Sequence, residues 1–425
     1  MIERMVAIIA SLVAIAPAAA AAAASAASAE TLREAVAAAY AGNPVLAAAR
    51  ARQEALAETP EQARAAGRPT MSTDAGAGYD RFGYGRAVSV NATAALPIWT
   101  GGRVRSAVRA AVADVASGGE GLRDTEAAVL ERVVSAYADL LYNQQAVEVA
   151  RVGIERLDRQ VDEARSRYGL GQATRTDVAQ LEAQRATVVA NLADAEGALA
   201  TAAADYRAVV GQEAGVLTAD VPVPAALPQT LADARVQAAS SNPLLLQQRE
   251  VVEASAARID QARSERAPSV DLVGSYGRGG RLVDGNTRGF NSAASAGLSF
   301  RMPLLTGGLV PSRVRQAEAT FRAERFQADA AAREAMRTTD AAWAALTAAG
   351  ARLQANVEGL KAADLALKGV RAEYGFGLRS TIDILVADQS FRGAQLAVAS
   401  ARADVLIAQA ALLRAAGRLG FDAYG

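Results

Sequence analysis

The chain has no histidine and no cysteine among its 425 residues. That removes thiol nucleophiles, imidazole bases, disulfides and the usual zinc and copper sites. Carboxylates could still do acid–base work, but no glycine-rich phosphate loop and no serine elbow accompanies them. The sequence therefore points away from an enzyme and calls for no cofactor and no metal. The residues that stand out lie beside two glycine turns. Tyr168-Gly169-Leu170-Gly171 is followed by Thr176-Asp177-Val178, and Tyr374-Gly375-Phe376-Gly377 by Arg379 and then Ile382-Asp383-Ile384. Asp177 and Asp383 each follow a turn by a few residues. As first-turn carboxylates they would face a helix dipole; a ring of aspartates such as Asp383, one from each of several copies, would favour cations and could bind a multivalent ion. Gly169, Gly171, Gly375 and Gly377 supply the backbone freedom where two antiparallel helices reverse.

These turns belong to a longer repetition. Ala41-Gly42-Asn43-Pro44 recurs as Ser240-Ser241-Asn242-Pro243, Pro69 as Pro268, Leu96-Pro97-Ile98-Trp99-Thr100-Gly101-Gly102 as Met302-Pro303-Leu304-Leu305-Thr306-Gly307-Gly308, Tyr137 as Trp343 and Gly211 as Gly417. The spacing is 199 residues before residue 69 and 206 from Leu96 onward, so seven additional residues fall within 278–291. A repeat this long is a duplicated domain half, not a solenoid unit. The first copy occupies 30–211, a proline-punctuated linker with Pro222, Pro224 and Pro228 spans 212–229, and the second copy runs over 230–425.

Each copy reads helix, hairpin, very long helix, turn, helix. Helical patterns cover 31–66, 103–167 and 173–210, then 230–266, 309–373 and 379–416. Lys plus Arg and Asp plus Glu are both 45, which gives no basic excess and no nucleic-acid surface. The hydrophobic share of 51% is mostly alanine, with only 5% aromatics, a composition for slim, close-packed helices. Ala136, Leu140, Asn143, Val147, Ala150, Ile154, Leu157 and Val161 alternate spacings of four and three, as do Leu346, Gly350, Leu353, Val357, Leu360, Asp364 and Leu367. That 3.5-residue period predicts left-handed coiled-coil packing.

In the hairpins the period drops to two. Val88, Val90, Ala92, Ala94 and Leu96 alternate with Ser89, Asn91 and Thr93; Ala296, Leu298, Phe300 and Met302 alternate with Ser295, Gly297, Ser299 and Arg301. Partner strands are expected near 70–79 and 269–276, within hairpins over about 69–97 and 268–303. The strands are about ten residues long, with Trp99, Tyr79, Tyr84, Tyr276 and Phe290 near their ends. Both features suit an outer-membrane barrel, although a water-soluble sheet with one buried face has the same alternation. Four strands are too few to close a barrel, so a membrane sheet would have to be shared: two chains give eight strands and three give twelve. Residues 1–29 read as a signal peptide, with Glu3 and Arg4, an apolar stretch over 5–24, and Ala27-Ser28-Ala29 before Glu30. A mature chain without cysteine has no site for N-terminal lipidation. No other stretch of 18 apolar residues is expected to span a membrane as a helix.

The duplication, two hairpins, Pro-x-x-x-Gly-Gly strand exits and glycine turns together resemble the TolC-type outer-membrane factors of efflux pumps and type I secretion, over nearly all of 31–420. The resemblance implies a mainly α fold with membrane β strands. It implies a homotrimer in which a long α-helical coiled-coil barrel carries a 12-stranded outer-membrane β-barrel, with an equatorial belt from 211–229 and the C-terminal end. It implies a passive exit duct recruited by a periplasmic adaptor and an inner-membrane transporter of ABC or RND type, embedded in outer-membrane lipid. The long middle helices lean slightly toward type I protein secretion, with small-molecule drug efflux the alternative; a periplasmic adaptor is the lesser reading. By the same resemblance Thr176, Asp177, Tyr374, Arg379 and Asp383 are the periplasmic gate. Asp177 accepts a hydrogen bond from Tyr374, Arg379 ties to Thr176, and Asp383 lines the entrance, with Val386 where some members place a second ring aspartate. The glycine turns would dock the adaptor.

Overall fold

A computed structural model describes residues 30–80, 85–219, 221–281 and 290–424. The expected signal peptide and most of the longer second hairpin tip lie outside the described residues. Nine α-helices and four strands are described. The first copy contributes α1 (Leu32–Gly42), α2 (Pro44–Ala57), α3 (Thr59–Ala65), β1 (Thr70–Asp80), β2 (Gly85–Trp99), α4 (Arg103–Gly169) and α5 (Arg175–Val210). The second contributes α6 (Leu231–Ser241), α7 (Pro243–Ser264), β3 (Ser269–Arg281), β4 (Asn291–Arg301), α8 (Leu309–Gly375) and α9 (Thr381–Ala415), and a 3₁₀ turn, Phe421–Tyr424, ends the chain.

The single helices expected over 31–66 and 230–266 are broken, and the recurring Asn-Pro is the cause. Asn43 Oδ1 accepts from the Val45 N–H at 2.9 Å while its Nδ2 donates to the Val209 carbonyl at 2.9 Å. Asn242 Oδ1 accepts from the Leu245 N–H at 3.1 Å and its Nδ2 donates to the Ala415 carbonyl at 2.9 Å. Proline then occupies the first helical position, where its missing N–H costs nothing. Both asparagines thus tie the incoming helix to the end of the last helix of the same copy. A further break precedes α3, where Pro60 lies in the first turn.

The long helices α4 and α8 have 67 residues each, about 100 Å at 1.5 Å per residue. α5 runs back along α4 and α9 back along α8, while α7 packs on both long helices at their sheet-proximal ends. The seam on α4 is buried at Leu140, Val147, Leu157 and Val161. On α8 only Leu367 of the corresponding set is fully buried, and Gly350 is exposed. α9 carries an 18-residue window apolar enough by length and composition to cross a membrane. That corrects the expectation that no such stretch exists: α9 is rich in alanine, valine and leucine because it packs along both α8 and α4.

The main core lies midway along the bundle and gathers Val36, Leu46, Leu130, Val134, Tyr137, Leu140, Tyr206, Leu413 and Leu419. The linker crosses it. Leu217 makes a parallel bridge with Glu30, and the buried Tyr137 hydroxyl lies 2.9 Å from the Glu30 carbonyl and 2.8 Å from that of Thr218, donating between them. Burial pushes this phenol up to about 12. Its counterpart Trp343 is only half-buried.

The repeated glycines Gly211 and Gly417 both follow a helix end with positive φ, +90° and +70°. A Cβ on Gly211 meets nothing within 4 Å, whereas on Gly417 it lands 2.2 Å from the Ser241 carbonyl oxygen. Gly211→Ala is expected to cost about 1–2 kcal/mol, the left-handed penalty alone. Gly417→Ala is expected to cost distinctly more, because backbone must move. Thermal unfolding of the two variants, compared under one condition, checks the order.

Candidate functional site

Two regions carry the functional geometry: the sheet at one end of the helices and the glycine turns at the other. The two hairpins pair with each other, giving one antiparallel sheet of order β1-β2-β3-β4 with β1 and β4 as free edges. Directly paired residues share a face, so the registers Ala75↔Val90, Val90↔Arg278, Leu96↔Leu272 and Leu272↔Leu298 collect one side of the sheet. That side carries Met71, Ala75, Ala77, Val88, Val90, Ala92, Ala94, Leu96, Leu272, Tyr276, Leu298 and Phe300, with Thr73 among them and Arg86, Arg278 and Ser292 toward the hairpin tips. The other carries Ser72, Asp74, Ser89, Asn91, Thr93, Asp271, Ser275, Ser295 and Ser299. Hydroxyl pairs knit the polar face, Ser72 to Thr93 at 2.9 Å and Ser275 to Ser295 at 2.8 Å.

No helix covers the apolar face: Met71 is 74% exposed, Leu298 70% and Phe300 67%. The water-soluble reading needed that face buried, so it is set aside. An apolar face out and a polar face in, on strands of 11 to 15 residues, match a lipid-facing barrel wall. Its free edges have to be paired by further strands before it can sit in hydrocarbon.

At the far end the chain reverses twice. Gly171 and Gly377 adopt positive φ, +73° and +72°. Gly169 and Gly375 are the last residues of α4 and α8, so the left-handed conformation falls on one glycine per turn. Beyond each turn a capping box starts the next helix. Asp177 accepts from the Thr174 N–H at 2.9 Å and its hydroxyl at 2.7 Å. Asp383 accepts from the Ser380 N–H at 2.9 Å and its hydroxyl at 2.7 Å.

These bonds hold both carboxyls below their usual range. A depressed carboxyl contributes stability above its unfolded value near 3.8 and loses it as pH falls through the lower folded value. Both aspartates are accordingly charged throughout the neutral and mildly acidic range.

The expected gate bonds are not those made within one chain. Asp177 is held by its own N-cap Thr174, with the Thr381 side chain at the start of α9 as a lesser influence, and no hydrogen bond joins it to Tyr374 among the described residues. Arg379 pairs with Glu373 at 2.7 Å across its own turn, not with Thr176, which is exposed. Tyr374 lies beneath Arg167, whose Cζ is 4.8 Å from the ring centroid. The physical reason is local: a first-turn carboxylate meets its own N-cap before any partner, and an arginine six residues from a glutamate in a tight turn reaches it first.

Sequence reading missed a second set of residues about two turns up α9. Asp388 is 1% exposed and faces three guanidinium groups: Arg392 at 2.8 Å, Arg371 of α8 at 3.6 Å and Arg156 of α4 at 3.8 Å. A small apolar cluster of Leu157, Val161, Leu181, Val188 and Leu385 adjoins it. The signal was available. Arg165 and Glu182, one repeat earlier than Arg371 and Asp388, make the same pairing between α4 and α5 at 2.7 Å, on the surface.

A lipid-facing sheet raised on two helical hairpins about 100 Å long is the build of an outer-membrane channel with a long periplasmic part. The model of the outer membrane efflux protein family matches residues 35–212 and again 234–418, and the chain belongs to that family of TolC-type channels, which are not enzymes. It is 33% identical over 409 residues to the outer membrane efflux protein BepC of Brucella suis, covering 93% of this chain and 87% of the relative. It is 28% identical to the outer membrane protein TolC of Escherichia coli over 67% of this chain and 60% of that one. Among solved structures, the open-state MtrE outer membrane channel of Neisseria gonorrhoeae superposes with a TM-score of 0.77 at 21% identity, over 93% of this chain and 91% of that one. The protein is an outer-membrane efflux duct of the kind that works in tripartite systems.

Proposed function

We propose that three copies close their sheets into one 12-stranded barrel above a tube of α4, α5, α8 and α9, and that this duct passes small molecules from a periplasmic adaptor and an inner-membrane transporter to the exterior. The observation that carries this reading is the four-stranded sheet with an exposed apolar face and two free edges. Two copies would give eight strands, whose interior side chains fill; twelve leave a route through. The relative named an efflux protein, which aligns with 93% of the chain at 33% identity, supports the efflux reading, while relatives named for protease secretion align with 64% and 74% of it at 24% identity. Trimer bands that dissociate only on heating, together with drug sensitivity on deletion and normal extracellular protein, test it. Loss of one secreted protein with unchanged drug tolerance would reverse the cargo assignment.

In this reading Thr176, Asp177, Tyr374, Arg379 and Asp383 sit at the periplasmic entrance and hold it closed. Tyr374 of α8 lies under Arg167 of α4, which brings the two helical hairpins into contact at this level. Tyr374→Phe with Arg379→Ala is expected to raise single-channel conductance in planar bilayers several-fold, and Asp383→Ala to relieve block by a trivalent cation added from the periplasmic side. Conductance and block like those of the unaltered protein would refute the assignment. The tips around Gly169, Gly171, Gly375 and Gly377 present Leu170, Phe376 and Leu378 at 74%, 83% and 74% exposure. Apolar side chains this open at a loop tip suit docking of an adaptor's helical hairpin.

A further inference from the structure

We propose that the cleft between the two helical hairpins near the tips binds a small tetrahedral oxyanion of the phosphate class. The cleft has a volume of about 270 Å³ and is lined by Arg156, Arg159 and Gln160 of α4, Arg371 and Tyr374 of α8, and Thr381 of α9. Its charge is unbalanced. Asp388 is the one carboxylate facing Arg156, Arg371 and Arg392, and Glu163, also on the wall, is engaged by Arg167 at 2.8 Å. Arg159 makes no ion pair among the described residues. Three guanidinium groups therefore share one carboxylate, and Arg159 adds a fourth cation to the wall of the cleft.

The donors are also underused. Asp388 Oδ1 approaches Arg371 and Arg156 only at 3.6 and 3.8 Å and makes no hydrogen bond, so it leaves the forks of both arginines unfilled. Phe391 lies 5.3 Å from the Arg156 guanidinium and stacks against it, fixing its orientation. Arg156 and Arg159, one turn apart on α4, face Arg371 from the opposite helix. Guanidinium forks converging from two sides suit the several oxygens of a tetrahedral anion. Gln160 Oε1 is buried with no donor. An acceptor among so many donors selects an anion that keeps a proton, as hydrogen phosphate does at neutral pH.

Calorimetric titration of the detergent-solubilised protein with inorganic phosphate, at ionic strength held constant with sodium chloride, tests the site. Saturable binding is expected. Arg159→Gln and Arg371→Gln should each weaken it about tenfold or more, as the loss of a charge-assisted hydrogen bond does. Arg151→Gln, whose partner is Glu196 outside the cleft, should leave it unchanged. Arg159 holds no ion pair among the described residues, so its replacement removes the ligand contact without removing a structural tie seen there. A titration without saturation, or phosphate affinity unaltered in Arg159→Gln, would overturn the proposal.

Discussion

Ala94→Arg is expected to abolish the heat-dissociable trimer, whereas Asn91→Arg, three residues along the same strand, is expected to leave it intact. The two side chains point to opposite faces of β2. Ala94 is exposed on the apolar face, near the middle of the strand and paired with Met71 and Gly274. An arginine in mid-hydrocarbon on a barrel's outer wall costs about 2–4 kcal/mol, and a trimer bears that cost three times. Asn91 lies on the polar face opposite Asp74, where an added guanidinium meets a carboxylate. Semi-native electrophoresis of outer-membrane fractions gives the answer directly. Equal loss in both variants, or tolerance of both, would mean that the apolar face does not meet lipid.

The second large effect is expected at Asp388. Removing one member of a buried ion cluster leaves its partners uncompensated, at about 3–5 kcal/mol. Asp388→Ala strands Arg392, which is 11% exposed, and loosens Arg156 and Arg371 on the two neighbouring helices. Replacing both charges, as Asp388→Leu with Arg392→Met, removes the stranded charge and is expected to recover most of the loss. Thermal unfolding of the solubilised protein by circular dichroism distinguishes the two. If the double variant is as unstable as the single one, lost packing and not unpaired charge sets the cost. The corresponding exposed pair, Arg165 and Glu182, has side chains 59% and 46% accessible. Its loss is expected to cost under about 1 kcal/mol.

The contrast between these two pairs shows what a repeat can and cannot reveal. The 206-residue spacing puts an arginine and an acid at matching places on both hairpins, and it is plain in the letters. Which pair is buried depends on a third helix: α9 packs against α4 as well as α8, while α5 lies at the surface of the pair. Asn43 and Asn242 behave similarly. Their recurrence before proline is legible, but the helix break follows from side chains that reach Val209 and Ala415, more than 160 positions later.

The residues beside the glycine turns were marked by sequence, and their roles were decided by distance. Asp177 and Asp383 were open to two readings from their positions alone. In the folded chain each closes a capping box, because the N-cap hydroxyl and amide lie within three residues and any other partner must be brought from another helix. Arg379 meets Glu373 for the same reason.

The sequence by itself determined the periods, and so the element types. A 3.5-residue apolar spacing can bury its stripe only as a paired helix, and a two-residue spacing only as a strand with two unlike faces. The duplication likewise follows from sequence, because matching motifs in one order need no coordinates. The tertiary structure alone decided that the two hairpins form one sheet with free edges, that its apolar face is left uncovered, and that three guanidinium groups share one carboxylate between the hairpins. Those facts rest on contacts between segments far apart in the chain, whose energies depend on burial and distance and leave no periodic trace in the order of residues.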